Sequence, residues 1–145
     1  MTHSNYLIAI FAVAIAGTAS AEASTNYTSI EATSSKPVQI SYHASAHKTN
    51  CTPAPPPTVR VKQSPKWGIL TVRKGILSSN KIKGCNVIRT PAKIVFYLAR
   101  PGYVGPDHLS YEVISENGEV ATYDVSITVK EPPAPSNRND PARPL

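Results

Sequence analysis

Residues 107–130, "DHLSYEVISENGEVATYDVSITVK", contain two period-two runs on either side of an Asn-Gly pair. In the first, Leu109, Tyr111 and Val113 fall on one side, and Ser110, Glu112 and Ile114 on the other. In the second, Ala121, Tyr123, Val125, Ile127 and Val129 share a side. Successive side chains of a strand point to opposite faces, so this alternation describes two half-buried strands. Asn117-Gly118 between them is a strong short-range hairpin signal. The same alphabet recurs upstream. Val38, Ile40 and Tyr42 alternate with Gln39, Ser41 and His43, and Val59 and Val61 alternate with Arg60 and Lys62. "ILTVRKG" and "AKIVFYLA" are rich in β-branched and aromatic residues.

Beyond the N-terminal apolar run, no segment shows the three-to-four residue apolar period of a helix. With a first edge strand around 27–32, the pattern predicts an all-β protein, an antiparallel β-sandwich of about seven strands. The expected division is a flexible polar segment at 22–35, the sandwich at 36–130 and a Pro-rich disordered tail at 131–145. Pro55, Pro56 and Pro57 stiffen one loop, and "LSSNKIKGCNVIRTP" reads as an irregular connector.

The first residues and the cysteines bound the compartment. "NYLIAIFAVAIAGTASA" is an apolar run ending in small residues, with Ala19 and Ala21 in the spacing read by signal peptidase. We read 1–21 as a cleaved signal peptide. The mature chain is then secreted or periplasmic and has no membrane span. Cys51 and Cys85, an even pair in an exported chain, are expected to form one disulfide. Its loop of about 35 residues is worth roughly 3–4 kcal/mol in the chain-entropy model.

Two motifs resemble known families. Asp107-x-Leu109-x-Tyr111-x-Val113 has the form of the tyrosine corner of immunoglobulin-like sandwiches, in which a tyrosine bonds back to upstream backbone. The run "PGYVGPDHLSYEV…NGEVATYDVSITV" resembles bacterial Ig-like and cadherin-like repeats, and "SPKWGILTVRKG" resembles an earlier strand of the same repeats. The resemblance covers roughly residues 36–129. It implies the sandwich fold, a structural corner at Asp107 and Tyr111, and a role as spacer or adhesion module. The chain departs from those repeats in having a single copy. It also lacks their clustered acids, since "NRND" at 137–140 is sparse and lies in the tail. No calcium, other metal or cofactor is therefore expected.

Charge is the remaining signal. No acidic residue lies between Glu31 and Asp107, while twelve Lys and Arg fall in that stretch of a chain with net charge +6. A basic face would attract an anionic surface, such as anionic polysaccharide or lipid headgroups. Arg60, Lys62, Lys66, Arg73, Lys74, Lys81 and Lys83 are the candidate residues, with Trp67 as an aromatic anchor. Strand pairing is expected to bring Arg60 and Lys62 beside Arg73. Nucleic acid is a poor partner for an exported chain.

No nucleophile elbow, zinc-protease helix or phosphate loop occurs. His43, His47 and Cys51 stand four apart but lie on a strand end and a loop, and Cys51 is assigned to the disulfide. The expected function is a non-enzymatic exported binding module. The alternative is a structural or accessory domain that pairs with a larger surface or adhesion protein through an edge strand.

Overall fold

A computed structural model describes residues 23–80 and 84–135. The chain is an all-β, immunoglobulin-like sandwich. Seven strands carry it: β1 (Ser24–Thr33), β2 (Pro37–Ala44), β5 (Thr58–Gln63), β6 (Gly68–Ser79), β7 (Ile88–Ala99), β8 (Gly105–Ile114) and β9 (Val120–Lys130). Two dipeptide strands, β3 (Ala46–His47) and β4 (Thr52–Pro53), form a small ribbon in the crossing between the sheets. One sheet has the order β1-β9-β8-β5 and the other β2-β7-β6. The expected signal peptide at 1–21, Lys81, Lys83 and the tail beyond 135 lie outside the described residues.

The core lies where the inward faces of the sheets meet. Val95, Tyr97 and Ala99 of β7 meet Leu109, Tyr111, Val125, Ile127 and Val129 of β8 and β9. The inward sets of β8 and β9 are those that the alternation predicts. The turn between them differs in kind. Ser115 N donates to Glu119 O at 2.9 Å, and Gly118 alone takes positive φ (84°) in this turn. This is a three-residue loop ending in a left-handed glycine, so the glycine sets the hairpin and Asn117 stays right-handed.

Three expectations need correction. The segment 22–35 is not a flexible leader: β1 runs Ser24–Thr33 and pairs with β9 in parallel, so the sandwich begins at Ser24 and is not wholly antiparallel. Ala32 is buried there and Ile30 packs on the core, which gives the segment apolar surface to fasten it. Ser34 follows, buried, donating to Arg100 O at 3.2 Å and accepting from Gly102 N at 2.9 Å.

The supposed connector at 77–91 is strand at both of its ends, Leu77–Ser79 in β6 and Ile88–Pro91 in β7, and only the stretch between them joins the two. β6 and β7 are each twelve residues long and pair from Gly68↔Ala99 to Ser79↔Ile88. Pro91 is tolerated because the β2 pairing stops one residue away, at Ala44↔Ala92.

Tyr111, third, is not a tyrosine corner. It sits in mid-strand, opposite Tyr123. Its hydroxyl bonds across the sandwich to Ser41 Oγ (2.7 Å) and His43 Nε2 (3.3 Å). The turn before β8 is instead held by Tyr103, whose hydroxyl donates to Pro106 O at 2.5 Å.

A bulge at Ile40 changes the phase of β2, which pairs Gln39↔Phe96 and then Ser41↔Val95. Ser41 and His43 therefore face inward, and Tyr42 is turned out to solvent. The Cys51–Cys85 disulfide is present and ties the β3–β4 crossing to the β6–β7 connector. No helix among the described residues is long and apolar enough to cross a membrane.

Candidate functional site

The turn Gln63–Gly68 links β5 in one sheet to β6 in the other, and a single carboxylate shapes it. Asp107, at the start of β8, accepts from Lys66 N through Oδ1 and from Trp67 N through Oδ2, both at 3.0 Å. Tyr97 OH donates to Oδ2 at 2.8 Å and His108 N to Oδ1 at 2.9 Å. Four donors satisfy the hydrogen-bonding capacity of this buried group. Burial, and then the neighbouring Asp107, push the Tyr97 hydroxyl well above its ordinary range. Tyr97 therefore keeps its proton and serves as a permanent donor.

Gly68 is required on the other side of the turn. A Cβ there would run into the Tyr97 ring and come within 2.7 Å of Leu98 O. Trp67 O also accepts from Arg100 N at 2.9 Å. The turn is thus fastened to β7 and β8 on both sides.

What the turn presents is an aromatic platform. Trp67 is 37% exposed. Tyr103 stacks on it, with centroids 4.9 Å apart and planes within 8°. Lys66 Nζ stands 5.2 Å from the indole centroid. Lys66 and Trp67 line a shallow groove of ≈ 510 Å³ with Gln63, Ser64, His108 and Thr128, whereas Tyr103 lies outside that lining and backs the indole. His108 Nε2 is 2.7 Å from Asp124 Oδ1, which fixes one wall. Lys66 has no ion-pair partner among the described residues. An aromatic face next to an uncompensated ammonium suits a ligand that offers both an apolar ring face and an anion.

The other predicted cations do not join this site. Arg60 bonds Glu112 through Nε (3.0 Å) and Nη2 (2.5 Å), and Lys62 Nζ stands 3.0 Å from the other carboxylate oxygen. The bulge between Val61 and Gln63 makes Lys62 the extra residue of its strand. Hydrogen bonds from Arg60, and then Lys62, hold the Glu112 carboxyl below its usual range. The two cations are therefore largely spent on one carboxylate.

Arg73 lies in the other sheet, because β5 pairs with β8 and β6 with β7, so no ladder brings it to Arg60 or Lys62. Its guanidinium rests 5.4 Å from the Phe96 ring centroid. Lys74 faces Lys93 across the β6–β7 ladder. The single basic face expected from the sequence is thus divided, and among the described candidates Lys66 and Trp67 share a groove.

The sequence reading passed over a second cluster. Inward-facing His43 meets Tyr123 edge to face, with centroids at 4.8 Å and planes at 62°. Tyr123 in turn stacks on Tyr111 at 5.1 Å. The signal was available: counting back from the Gly118 loop places 111 opposite 123. Among the described residues no group of three His, Cys, Asp or Glu is placed to hold a metal ion.

No protein-family model matches this sequence, and no curated protein matches it. A solved structure of PbICP-C in complex with falcipain-2 aligns with 79% of this chain and 95% of its own, at 11% identity and a TM-score of 0.36. The description of this chain therefore rests on its own strand order and on the groups that it brings together.

Proposed function

We propose that this chain is an exported, non-enzymatic binding module whose Lys66–Trp67–Tyr103 platform contacts an anionic polysaccharide. One observation carries the reading: an exposed indole, backed by Tyr103, with an unpaired ammonium over it. A sugar ring stacks on the indole while its carboxylate or sulfate meets Lys66. The Cys51–Cys85 disulfide supports an oxidising compartment, in keeping with the leader read at 1–21.

The test is co-sedimentation of the purified domain with calcium-gelled alginate and with vesicles containing anionic phospholipid, at low and high salt. Alginate binding that falls with salt, and is lost in Lys66→Glu and in Trp67→Ala, is the expected result. Vesicle binding alone would move the ligand to a lipid headgroup. Binding unchanged in both variants would overturn the reading.

The alternative, a structural or accessory domain that pairs with a surface or adhesion protein, draws on a separate feature. β6 is a twelve-residue edge strand with Ile69, Val72 and Ile76 exposed. Unpaired edges are templates for strand addition. A stoichiometric, salt-resistant complex that is lost on Val72→Pro would favour this alternative.

A further inference from the structure

The end of the sandwich away from Trp67 is open between its sheets. Here β2 finishes, the far half of the β6–β7 hairpin passes, and the β8–β9 turn closes the other wall. They enclose a cavity of ≈ 580 Å³. That lies inside the range of about 300–1,000 Å³ typical of small-molecule sites. Ala44, Pro57, Leu77, Val113, Val120 and Ala121 supply apolar wall, and hydroxyl residues Ser24, Ser45, Thr90 and Ser115 are spaced round it.

The charge pattern of this wall is unlike that of the rest of the chain. The molecule carries a net charge of +6, yet among the described residues no Lys or Arg lines the cavity. Glu119 is the acidic residue among the described wall residues. An anion entering here would lose water and find no cation among the described wall residues to replace it. The remaining ionisable wall groups are His43, Tyr42 and Tyr123. Burial lowers the His43 pKa, so its imidazole is neutral at pH 7.

The aromatic groups are held in place beforehand. Tyr123 is clamped between Tyr111, stacked at 5.1 Å with planes within 5°, and the His43 edge at 4.8 Å. His43 is itself held by Ser41 Oγ at 2.9 Å and Tyr111 OH at 3.3 Å. Rotamers fixed by packing reduce the entropy lost when a ligand binds. A rigid ring next to apolar wall accepts another ring edge to face or offset.

We propose that this end cavity is a binding site for a small uncharged aromatic molecule of one or two rings bearing a hydroxyl group. The ring packs against Tyr123 and His43, and the hydroxyl exchanges hydrogen bonds with the serine and threonine wall. The site is independent of the platform at Trp67 and stands or falls separately.

The experiment uses 2-naphthol as probe and 2-naphthoate as its anionic counterpart, on the isotopically labelled disulfide-bonded protein. Amide shifts are followed by two-dimensional NMR. 2-Naphthol is expected to give saturable shifts at roughly millimolar concentration or below, confined to residues 43–46 and 119–123. 2-Naphthoate is expected to give none there. Ala121→Phe fills the cavity and should weaken binding by about tenfold or more, with an otherwise unchanged spectrum. Ser115→Trp, at the turn, tests the same point if Ala121→Phe does not fold. Absence of saturable shifts would overturn the proposal. So would equal binding of the naphthoate, shifts centred on Lys66 and Trp67, or undiminished binding in a folded cavity-filling variant.

Discussion

The two ends of this sandwich solve the same problem with different chemistry. At the Trp67 end, strands from both sheets must be joined across a gap, and the join is polar. One buried carboxylate collects two turn amides, a tyrosine hydroxyl and its neighbour's amide. At the His43 end the join is aromatic and covalent: His43, Tyr111 and Tyr123 pack ring to ring, and Cys51–Cys85 ties the crossing loop to the long hairpin. The polar end is tight at its centre and turns an exposed indole outward. The aromatic end is left open and turns its groups inward. A fastening by directed hydrogen bonds tolerates no gap, whereas rings and a tether enclose space without filling it.

The sharpest way to break this comparison is Asp107→Ala. It strands three backbone amides and the Tyr97 hydroxyl around a buried site, and should cost about 3–5 kcal/mol. Urea unfolding measures the loss. Amide exchange should rise first at residues 66–68, while the His43 end keeps its protection. Equal loosening at both ends would mean that the two fastenings are one cooperative unit.

The converse is Cys51→Ser with Cys85→Ser, expected to cost roughly 3–4 kcal/mol through restored chain entropy. Here exchange should rise in the crossing loop and the far hairpin, and Trp67 fluorescence should stay as it is. A shifted Trp67 spectrum would show that the ends are coupled through β6 and β7.

How much of this could be read from the sequence follows the same division. The β8–β9 hairpin was legible because alternation and a turn glycine both act locally, within some twenty residues. Asp107 was recognised as a turn anchor, but its donors come from 66 and 67, some forty residues earlier, which no local pattern specifies. Tyr111 misled for the same reason: its spacing from Asp107 fits a known motif, yet its partners lie on β2. β1 was undervalued because a parallel edge strand borrows its register from β9 and needs little apolar content of its own. The inward turn of His43 depends on one extra residue at Ile40, and a one-residue slip reverses every side chain after it. The basic face failed at the level of topology. Arg60 and Arg73 are close in sequence and on successive long strands, but those strands belong to different sheets.

Proton linkage sharpens the comparison at smaller cost. His43 is neutral when folded because burial lowers its pKa from 6.5. Below that value the unfolded chain binds a proton that the folded chain does not. Stability contributed by neutral His43 is therefore present above pH 6.5 and falls as the pH drops toward the folded value. His43→Gln should flatten that slope in urea midpoints taken between pH 7.5 and about 5.5. A slope equal to that of the parent chain would mean that other groups carry it.

The smallest expected effect separates charge that is spent from charge that is free. Arg60 and Lys62, each more than half exposed, cover one carboxylate, and solvent around the two cations screens the pair so that the gain is slight. Because Glu112 has its pKa depressed by these partners, its contribution is present above about pH 4.5 and is lost as acid protonates it. Arg60→Ala with Lys62→Ala should therefore leave the unfolding midpoint at pH 7 nearly unchanged and remove a small part of its acid dependence. Polyanion binding is the more telling measurement on this variant. If attraction follows net charge, losing two cations weakens binding as much as losing any two others. If it follows the Lys66–Trp67 geometry, binding survives here and disappears in Lys66→Glu, because a cation already facing a carboxylate has little field left to offer a ligand.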